Sequence, residues 1–227
     1  MPKPCGYSVS GSSRSTLMTN LQTLTFDLAQ CRVGLNELDD LLARNATLAE
    51  SRQILPFFRQ RPHLSALLGS YDPHLRRYDR VAFELRLFGD FIVDLVVGDV
   101  ARQAFCFIEF EGAKMNSVFR TGARRTLEWS PYFDHGSSQI IDWFWKLQDQ
   151  RRTETFERLF GSSSIHASGL LVIGRDSGVT AADRLRLERR RENVMVNSQR
   201  LYCCTFDELA RDSRAFLDNF TAASNLT

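Results

Sequence analysis

The chain contains few lysines, and the other sequence features that it lacks are equally informative. Only three of the 29 basic residues are lysines, namely Lys3, Lys114 and Lys146. No stretch approaches the ~18 consecutive apolar residues of a membrane-spanning helix, and the N-terminus has no apolar signal core. The five cysteines are odd in number and lack CxxC spacing, which argues against a zinc or disulfide framework. We therefore expect a reduced, cytoplasmic protein without a membrane partner.

The composition that remains is that of a packed globular protein. The 227 residues are 43% hydrophobic and include 17 phenylalanines, enough to bury one substantial core and to exclude a disordered chain. The net charge of +2 does not by itself indicate a class of binding partner. The excess of arginine suits nucleic acid, because guanidinium groups bind phosphate bidentately. A coding bias toward arginine explains the same excess equally well.

Local sequence patterns divide the chain into three segments with different expected structures. Residues 1–15 are rich in Ser, Gly and Pro and are expected to be flexible. Residues 16–75 show leucines at helical spacing and predict a helical segment packed on the core. Within it, residues 47–50 match a capping box that would open a helix, and Pro56 is expected to kink that helix. Residues 76–227 are expected to form the main domain.

Three strand candidates, at residues 81–88, 91–97 and 104–111, follow one another closely. Short turns containing Gly-Asp separate them, which predicts an antiparallel meander. The elements predicted downstream are a loop containing Pro131, a helix at 137–149, a helix at 153–160, a strand at 170–173, a helix at 180–194, a strand at 201–204 and a C-terminal helix capped by Thr205. The predicted fold class is α/β, a mixed sheet flanked by helices with an N-terminal helical segment.

Acidic residues interrupt these apolar strands. Glu109 and Glu111 lie two positions apart in the third strand candidate, so strand alternation places them on the same side of the sheet. Asp94 lies in the second candidate, within one cross-strand step of Glu109. Buried carboxylates without a counter-charge are costly, and a divalent cation commonly offsets that cost. The pattern indicates metal-dependent chemistry on phosphates; an ordinary solvent-exposed charged face is the alternative.

The element order and these acids resemble the PD-(D/E)XK nuclease superfamily. In that superfamily an acid on the second strand and an acid-x-Lys on the third bind Mg²⁺ beside the scissile phosphate. Asp94 and Glu109 match the two acids, whereas Glu111 stands where lysine is usual. The resemblance implies Asp94, Glu109 and Glu111 as catalytic residues and ligands of Mg²⁺ or Mn²⁺. Glu111 would act either as general base or as ligand of a second metal.

A closer resemblance is to the Shedu antiphage immune nucleases, over roughly residues 80 to 212. It rests on Asp-Leu-Val-Val-Gly-Asp at 94–99, Phe-Ile-Glu-Phe-Glu at 107–111, Trp-Ser-Pro at 129–131, His-Gly at 135–136 and Gln139. It implies a metal-dependent endonuclease that nicks or cleaves DNA in antiphage defence. Gln139 would orient the nucleophile or donate to a phosphate, near the start of a helix whose positive end favours an anion.

Several contributions stay open at this stage. Glu50 matches the acid that some of these nucleases place on their first helix, although its capping-box role is a sufficient explanation. Lys114 or Lys146 could replace the missing lysine. Trp143 and Trp145 cannot both face the core, which indicates a homo-oligomer.

Two arginine clusters, at 184–191 and 120–125, predict contacts with the DNA backbone or, alternatively, a solvated surface. Two rival functions also remain. One is a catalytically degenerate module of the same fold that binds nucleic acid or protein. The other is a different metal-dependent phosphohydrolase.

Overall fold

The computed structural model describes residues 20–123 and 126–224, with side chains up to residue 220. The segment predicted to be flexible, residues 1–15, and the pair Arg124 and Arg125 lie outside the described residues. The helices are α1 (Leu28–Arg44), α2 (Leu55–Arg59), α3 (Pro62–Leu67), α4 (Pro131–Asp149), α5 (Glu154–Phe160), α6 (Ala181–Asn193) and α7 (Phe206–Ser224). The strands are β1 (Gln22–Thr23), β2 (Arg80–Leu87), β3 (Phe91–Asp99), β4 (Ala104–Phe110), β5 (Phe119–Arg120), β6 (Glu128–Trp129), β7 (His166–Val172), β8 (Met195–Val196) and β9 (Gln199–Cys204).

The main sheet is mixed, with β4 near its middle. Its strand order is β1-β2-β3-β4-β7-β9-β8. Neighbours from β1 to β4 are antiparallel, which confirms the predicted meander. β7 is parallel to both β4 and β9, and β8 returns antiparallel to β9. The α/β class with a mixed sheet flanked by helices is therefore confirmed.

Helices cover both faces of the sheet. Cys106 and Ile108 of β4 join a core formed with α1, α2, α3 and α7. Phe105 and Phe107 point the other way and pack with α4, α5 and α6. Every residue of β4 is buried. Because side chains alternate along a strand, Glu109 continues the face that α4 covers.

The cysteines behave as small hydrophobic residues. Cys31, Cys106, Cys203 and Cys204 are buried and free. Cys5 lies outside the described residues, and the absence of a disulfide framework stays a prediction.

The N-terminal segment differs from its prediction in two ways. Residues 22 and 23 form strand β1, which pairs with Val81 and Arg80, rather than part of a helix. Pro56 and Pro62 both lie in the first turn of a helix, α2 and α3 respectively. Pro62 therefore starts α3, where a proline has no hydrogen bond to lose, and Pro56 lies where the π-helical turn Glu50–Ile54 gives way to α2.

The capping box predicted at residues 47–50 is wrong. The N-cap is Ala49, and Glu50 opens a π-helical turn, Glu50–Ile54, that leads directly into α2. The Ala49 amide donates to the Gln53 side-chain oxygen instead. Glu50 is consequently available for another role.

Helix α4 begins six residues earlier than predicted. Ser130 is its N-cap, accepting a hydrogen bond of 3.0 Å from the Phe133 amide, and Pro131 occupies the first turn. The interpretation of Pro131 as a loop residue is therefore wrong. The later elements α5, β7, α6, β9 and α7 are present near their predicted positions, and the predicted Thr205 cap accepts a hydrogen bond from the Glu208 amide.

The two neighbouring tryptophans of α4 do face different ways. Trp143 is fully buried, whereas Trp145 is 56% exposed. The homo-oligomer inferred from them stays a prediction. Among the described residues, no helix is both long enough and apolar enough to cross a bilayer.

Candidate active site at the carboxyl end of β4

A bend in the meander positions Asp94. Val93 and Leu95, two positions apart on β3, pack on opposite faces of the sheet, so the strand alternation shifts between them. On the facing strand, Glu84 has a left-handed backbone with φ +48°. The β3–β4 register ends at Leu95, and the Phe110 amide of β4 donates instead to Asp94 Oδ2 at 3.0 Å. The bend thus turns the Asp94 carboxylate toward the end of β4.

Glu109 is buried beside Asp94 and is 5% exposed. Gln139 on α4 donates a hydrogen bond to Glu109 Oε1. Burial, reinforced by the negative charge of Asp94, raises the pKa of Glu109 to about 10. Burial also raises the pKa of Asp94 to about 7, against the lowering effect of the Phe110 amide. The two carboxyl groups therefore resist carrying negative charge together without a cation.

Glu111 lies one residue beyond β4, held by a 2.9 Å hydrogen bond from its amide to the Val172 carbonyl. Its side chain is 5% exposed, and His135 Nδ1 lies 3.0 Å from Oε1. Gly136 permits this approach of α4: a Cβ there would lie 3.2 Å from Glu111 Cγ and 2.6 Å from Leu171 Cδ1. Glu111 and Glu109 thus face neighbouring turns of one helix.

Glu50 is a fourth acid at this cluster. An isolated β-bridge between Leu48 and Ala113 ties the start of the π-helical turn to the segment that follows Glu111. Burial raises the pKa of Glu50, and the negative charge of Glu111 adds to the effect while His135 opposes it. π-Helical turns are frequent at functional sites.

The location of Gln139 on α4 requires a correction. Because α4 begins at Pro131, Gln139 lies in the third turn rather than near the helix start. The argument that the positive end of the helix favours an anion beside Gln139 is therefore wrong. Gln139 instead acts through its side chain, which contacts both Glu109 and His135.

The two candidate lysines are far apart in the structure. Lys146 Nζ lies 2.5 Å from Asp90 Oδ2, at the turn between β2 and β3, and is not brought to the acids. Lys114 follows β4, and its ammonium lies 5.3 Å from the centre of the Tyr132 ring in the first turn of α4. Lys114 is therefore on the same side of the molecule as His135.

The arginines of α6 are mostly engaged within the fold. Arg184, Arg186 and Arg191 form ion pairs with Asp176, Asp183 and Glu208, respectively. Arg186 and Arg190 also lie over the Trp129 ring. These contacts favour a structural role over the predicted contact with the DNA backbone.

The acids suit a hard divalent cation chemically. Within the described part of the chain, Glu50, Asp94 and Glu109 form no ion pair with lysine or arginine, and all their ligand atoms are oxygen, as Mg²⁺ prefers. In these side-chain positions, however, Asp94, Glu109 and Glu111 do not bring one oxygen each within 4.8 Å of one another. Among the described residues, that criterion is met by Asp72, His74 and His166. Gln139 and His135 each hold one of the three carboxylates.

The acid cluster is buried at the end of a central strand and is covered by helix α4. The chain is therefore an α/β protein with a candidate cation-binding site. Residues 48–210 match the family described as Shedu protein SduA, C-terminal, so the chain belongs to that family. This confirms the resemblance and extends it toward the N-terminus, to include Glu50. Family membership points to antiphage defence. No curated protein matches the chain.

Proposed function

We propose that this protein is a Mg²⁺-dependent endonuclease that nicks or cleaves DNA in antiphage defence. The observation that carries the proposal is the burial of Glu109 beside Asp94 and close in sequence to buried Glu111, with Gln139 and His135 of α4 in contact with Glu109 and Glu111. Buried carboxylates whose pKa values are raised by burial and by one another are typical of functional sites.

The connectivity supports a PD-(D/E)XK arrangement. The meander β2-β3-β4 is followed by α4 and then by β7, which runs parallel to β4. Asp94 lies on the middle strand of the meander, and Glu109 lies near the end of its last strand. These are the positions of the two acids in the superfamily that the chain resembles.

The ligands of the cation would be the carboxylates of Asp94, Glu109 and Glu111, with Mn²⁺ as an alternative to Mg²⁺. A bound Mg²⁺ supplies Lewis-acid stabilisation of charge on the phosphate and a water of lowered pKa. Burial of Asp94 and Glu109 excludes competing water from the site. Their proximity also explains why a doubly charged ion is needed to hold both groups ionised.

Glu111 replaces the usual lysine and has a partner that a lysine would not need. His135 Nδ1 lies at hydrogen-bonding distance from Glu111 Oε1, so the imidazole can orient the carboxylate and share its proton. In this proposal Glu111 would accept the proton of the attacking water and pass it to the Nδ1 lone pair of a neutral His135, which would release its Nε2 proton to solvent. Gln139 orients the Glu109 carboxylate.

Lys114 is the candidate contact to the DNA backbone. It lies at the edge of the acid cluster, on the segment bridged to Leu48 and close to Tyr132. An ammonium there can bind a phosphate next to the scissile one without entering the cluster.

Incubation of the purified protein with supercoiled plasmid in Mg²⁺, Mn²⁺ or EDTA tests the proposal. We expect nicking in either metal, none in EDTA, and loss of nicking in Asp94→Ala and Glu109→Ala. The matched control is Glu157→Gln on α5, which changes an exposed glutamate far along the chain from the cluster.

The same assay distinguishes the rival functions. DNA binding without cleavage in any metal would favour a degenerate module. Hydrolysis of small phosphoesters, with plasmid left intact, would favour another phosphohydrolase. Nicking that persists in both alanine variants would remove the acid cluster from the chemistry.

A further inference from the structure

A second cluster of potential metal ligands lies at the opposite end of β4. His166 opens β7 and pairs with Ala104, the first residue of β4. Asp72 and His74 lie in the loop between α3 and β2 and reach the same point. One ligand atom from each of Asp72, His74 and His166 lies within 4.8 Å of the other two.

The distances match a shared ion. Asp72 Oδ1 lies 3.1 Å from His74 Nδ1, and Asp72 Oδ2 lies 3.4 Å from His166 Nε2. In a zinc tetrahedron with bonds of about 2.05 Å, two ligand atoms are separated by roughly 3.3 Å. Each histidine nitrogen therefore lies at such a spacing from one oxygen of the Asp72 carboxylate, and one ligand atom from each of the three side chains lies within 4.8 Å of the other two.

Neighbouring contacts hold the Asp72 carboxylate in place. Asp72 is 1% exposed, and it accepts hydrogen bonds from the Ser168 hydroxyl at 2.8 Å and from the His74 amide at 2.9 Å. Partners of this kind, which orient a ligand without touching the metal, are typical of protein metal sites.

The two histidines are the ion-pair partners of buried Asp72. Within the described residues, no lysine or arginine forms an ion pair with its carboxylate. The two imidazole rings lie close together, with centroids 3.8 Å apart and an interplanar angle of 36°. Both rings and the carboxylate are therefore near enough to one another to bind a single cation.

A cavity of about 180 Å³ adjoins the three side chains, and Tyr71, Cys106 and Tyr202 contribute to its walls. It leaves room for a fourth ligand from solvent. Three protein ligands with one open position form a recognised zinc arrangement, and mixed imidazole and carboxylate ligands suit zinc better than magnesium.

We propose that Asp72, His74 and His166 bind a divalent transition metal, Zn²⁺ in particular, and so fasten the loop before β2 to the start of β7. The proposal does not depend on the acid cluster or on DNA cleavage. The second site differs in chemistry from the acid cluster and lies beside the first residue of β4, Ala104.

Zinc titration of the EDTA-treated full chain, in competition with a chromophoric chelator, tests the site. The titrations use a Glu109→Gln background so that the acid cluster contributes less to the measured zinc binding. We expect one Zn²⁺ per chain, and an affinity at least about 100-fold weaker in His74→Ala, which removes a ligand directly. Because His74 is largely exposed, this variant is expected to fold.

His135→Ala is the matched comparison, since His135 is also exposed and also contacts a buried carboxylate. We expect it to keep the zinc affinity of the background. The proposal is overturned if the parent protein binds no stoichiometric zinc, if His135→Ala loses binding as His74→Ala does, or if His74→Ala keeps it. Should His74→Ala lose its native circular dichroism spectrum, the same comparison is made with Ser168→Ala, for which we expect about 10-fold weaker binding.

Discussion

The two ends of β4 present contrasting sets of ligand atoms. At the carboxyl end, Glu109 lies beside Asp94 and Glu111 faces the neighbouring turn of α4, and every candidate ligand atom is a carboxylate oxygen. At the amino end, near Ala104, two imidazoles and one carboxylate converge. Hard cations select the first set and borderline transition metals the second. The two ends of β4 therefore lie beside ligand sets that would suit different cations.

The ends also differ in how they are covered. Over the acids lies α4, which approaches closely because residue 136 is glycine. The histidines instead lie beside a cavity and a loop, and are partly exposed. Burial raises the pKa values of Asp94 and Glu109. We expect substitutions at the acid end to have the larger effects on chemistry.

Replacement of a buried acid is the strongest test of this contrast. Glu109→Gln keeps the size of the side chain but removes its charge. We expect the rate of Mg²⁺-dependent plasmid nicking to fall by about 10³-fold or more, the scale of losing a principal electrostatic contact to the reacting centre. The rate is measured by single-turnover conversion of supercoiled plasmid, with Glu157→Gln as control. Equal rates in the two variants would show that the acid end is not catalytic.

The close approach of α4 is tested by Gly136→Ala. The added methyl would lie 2.6 Å from Leu171 Cδ1 and 3.2 Å from Glu111 Cγ, so α4 or these two side chains must shift. We expect a loss of about 1–3 kcal/mol in the free energy of unfolding and about 10²-fold slower nicking, since small displacements of catalytic groups are costly.

Urea titration and the nicking assay measure the two effects of Gly136→Ala. Gly161→Ala is not a suitable control, because Gly161 has a left-handed backbone. Ser138→Ala on the exposed side of α4 is suitable, since its hydroxyl bonds only to the Asp134 carbonyl. Unchanged nicking in Gly136→Ala would mean that the position of α4 over Glu111 is unimportant.

His135→Ala tests the partner of Glu111. Without the imidazole, Glu111 keeps its charge but loses its orientation and its route for the proton. We expect kcat to fall by about 10- to 100-fold, as for loss of general acid–base assistance, with little change in KM. A change in KM alone would instead assign His135 to DNA binding.

The raised pKa values predict how stability depends on pH at the acid end. Burial raises the pKa of Asp94 to about 7 and that of Glu109 to about 10, above the values of the unfolded chain. The folded metal-free protein therefore binds more protons than the unfolded chain, and its stability falls as pH rises from about 4 to 10. Glu109→Gln removes one of these protonation sites.

In EDTA at pH 8 we expect Glu109→Gln to melt above the wild type by roughly 4–8 °C, equivalent to ~2 kcal/mol for a chain of this size. The difference should disappear near pH 4, where the wild-type carboxyl is protonated in both states. Differential scanning calorimetry at the two pH values measures it. If the wild type is more stable than the variant at pH 8 without metal, then the raised pKa of buried Glu109 does not destabilise the folded protein as we expect.

The sequence predicted the parts of the acid end that depend on local patterns. Strand alternation identified Glu109 and its apolar neighbours, and the meander identified Asp94 as its cross-strand partner. The face of the sheet to which Asp94 points depends on a shift in strand alternation near Glu84. The hydrophobic periodicity of the sequence does not reveal that shift. Family resemblance supplied Gln139, although its place in the helix was wrong because Ser130 caps α4 earlier than the hydrophobic spacing indicates.

Residues brought together by long-range contacts were beyond the reach of such patterns. Glu50 is brought near the other acids by the bridge between Leu48 and Ala113. From the sequence alone, the apparent capping box was a sufficient reason for a glutamate at position 50. The contact between Glu111 and His135 depends on where α4 begins. Asp72 and His166 lie far apart in the chain, in a loop and at a strand start, so no spacing relates them.

Diffraction from crystals grown in MnCl₂ tests the central claim most directly. We predict an anomalous-scattering peak at the carboxyl end of β4, in contact with the Asp94 and Glu109 carboxylates, that is absent from crystals of Glu109→Gln. Density confined to the histidine end, or carboxylates of Asp94 and Glu109 that ligate nothing at saturating Mn²⁺, would contradict the assignment of the acid cluster as the catalytic metal site.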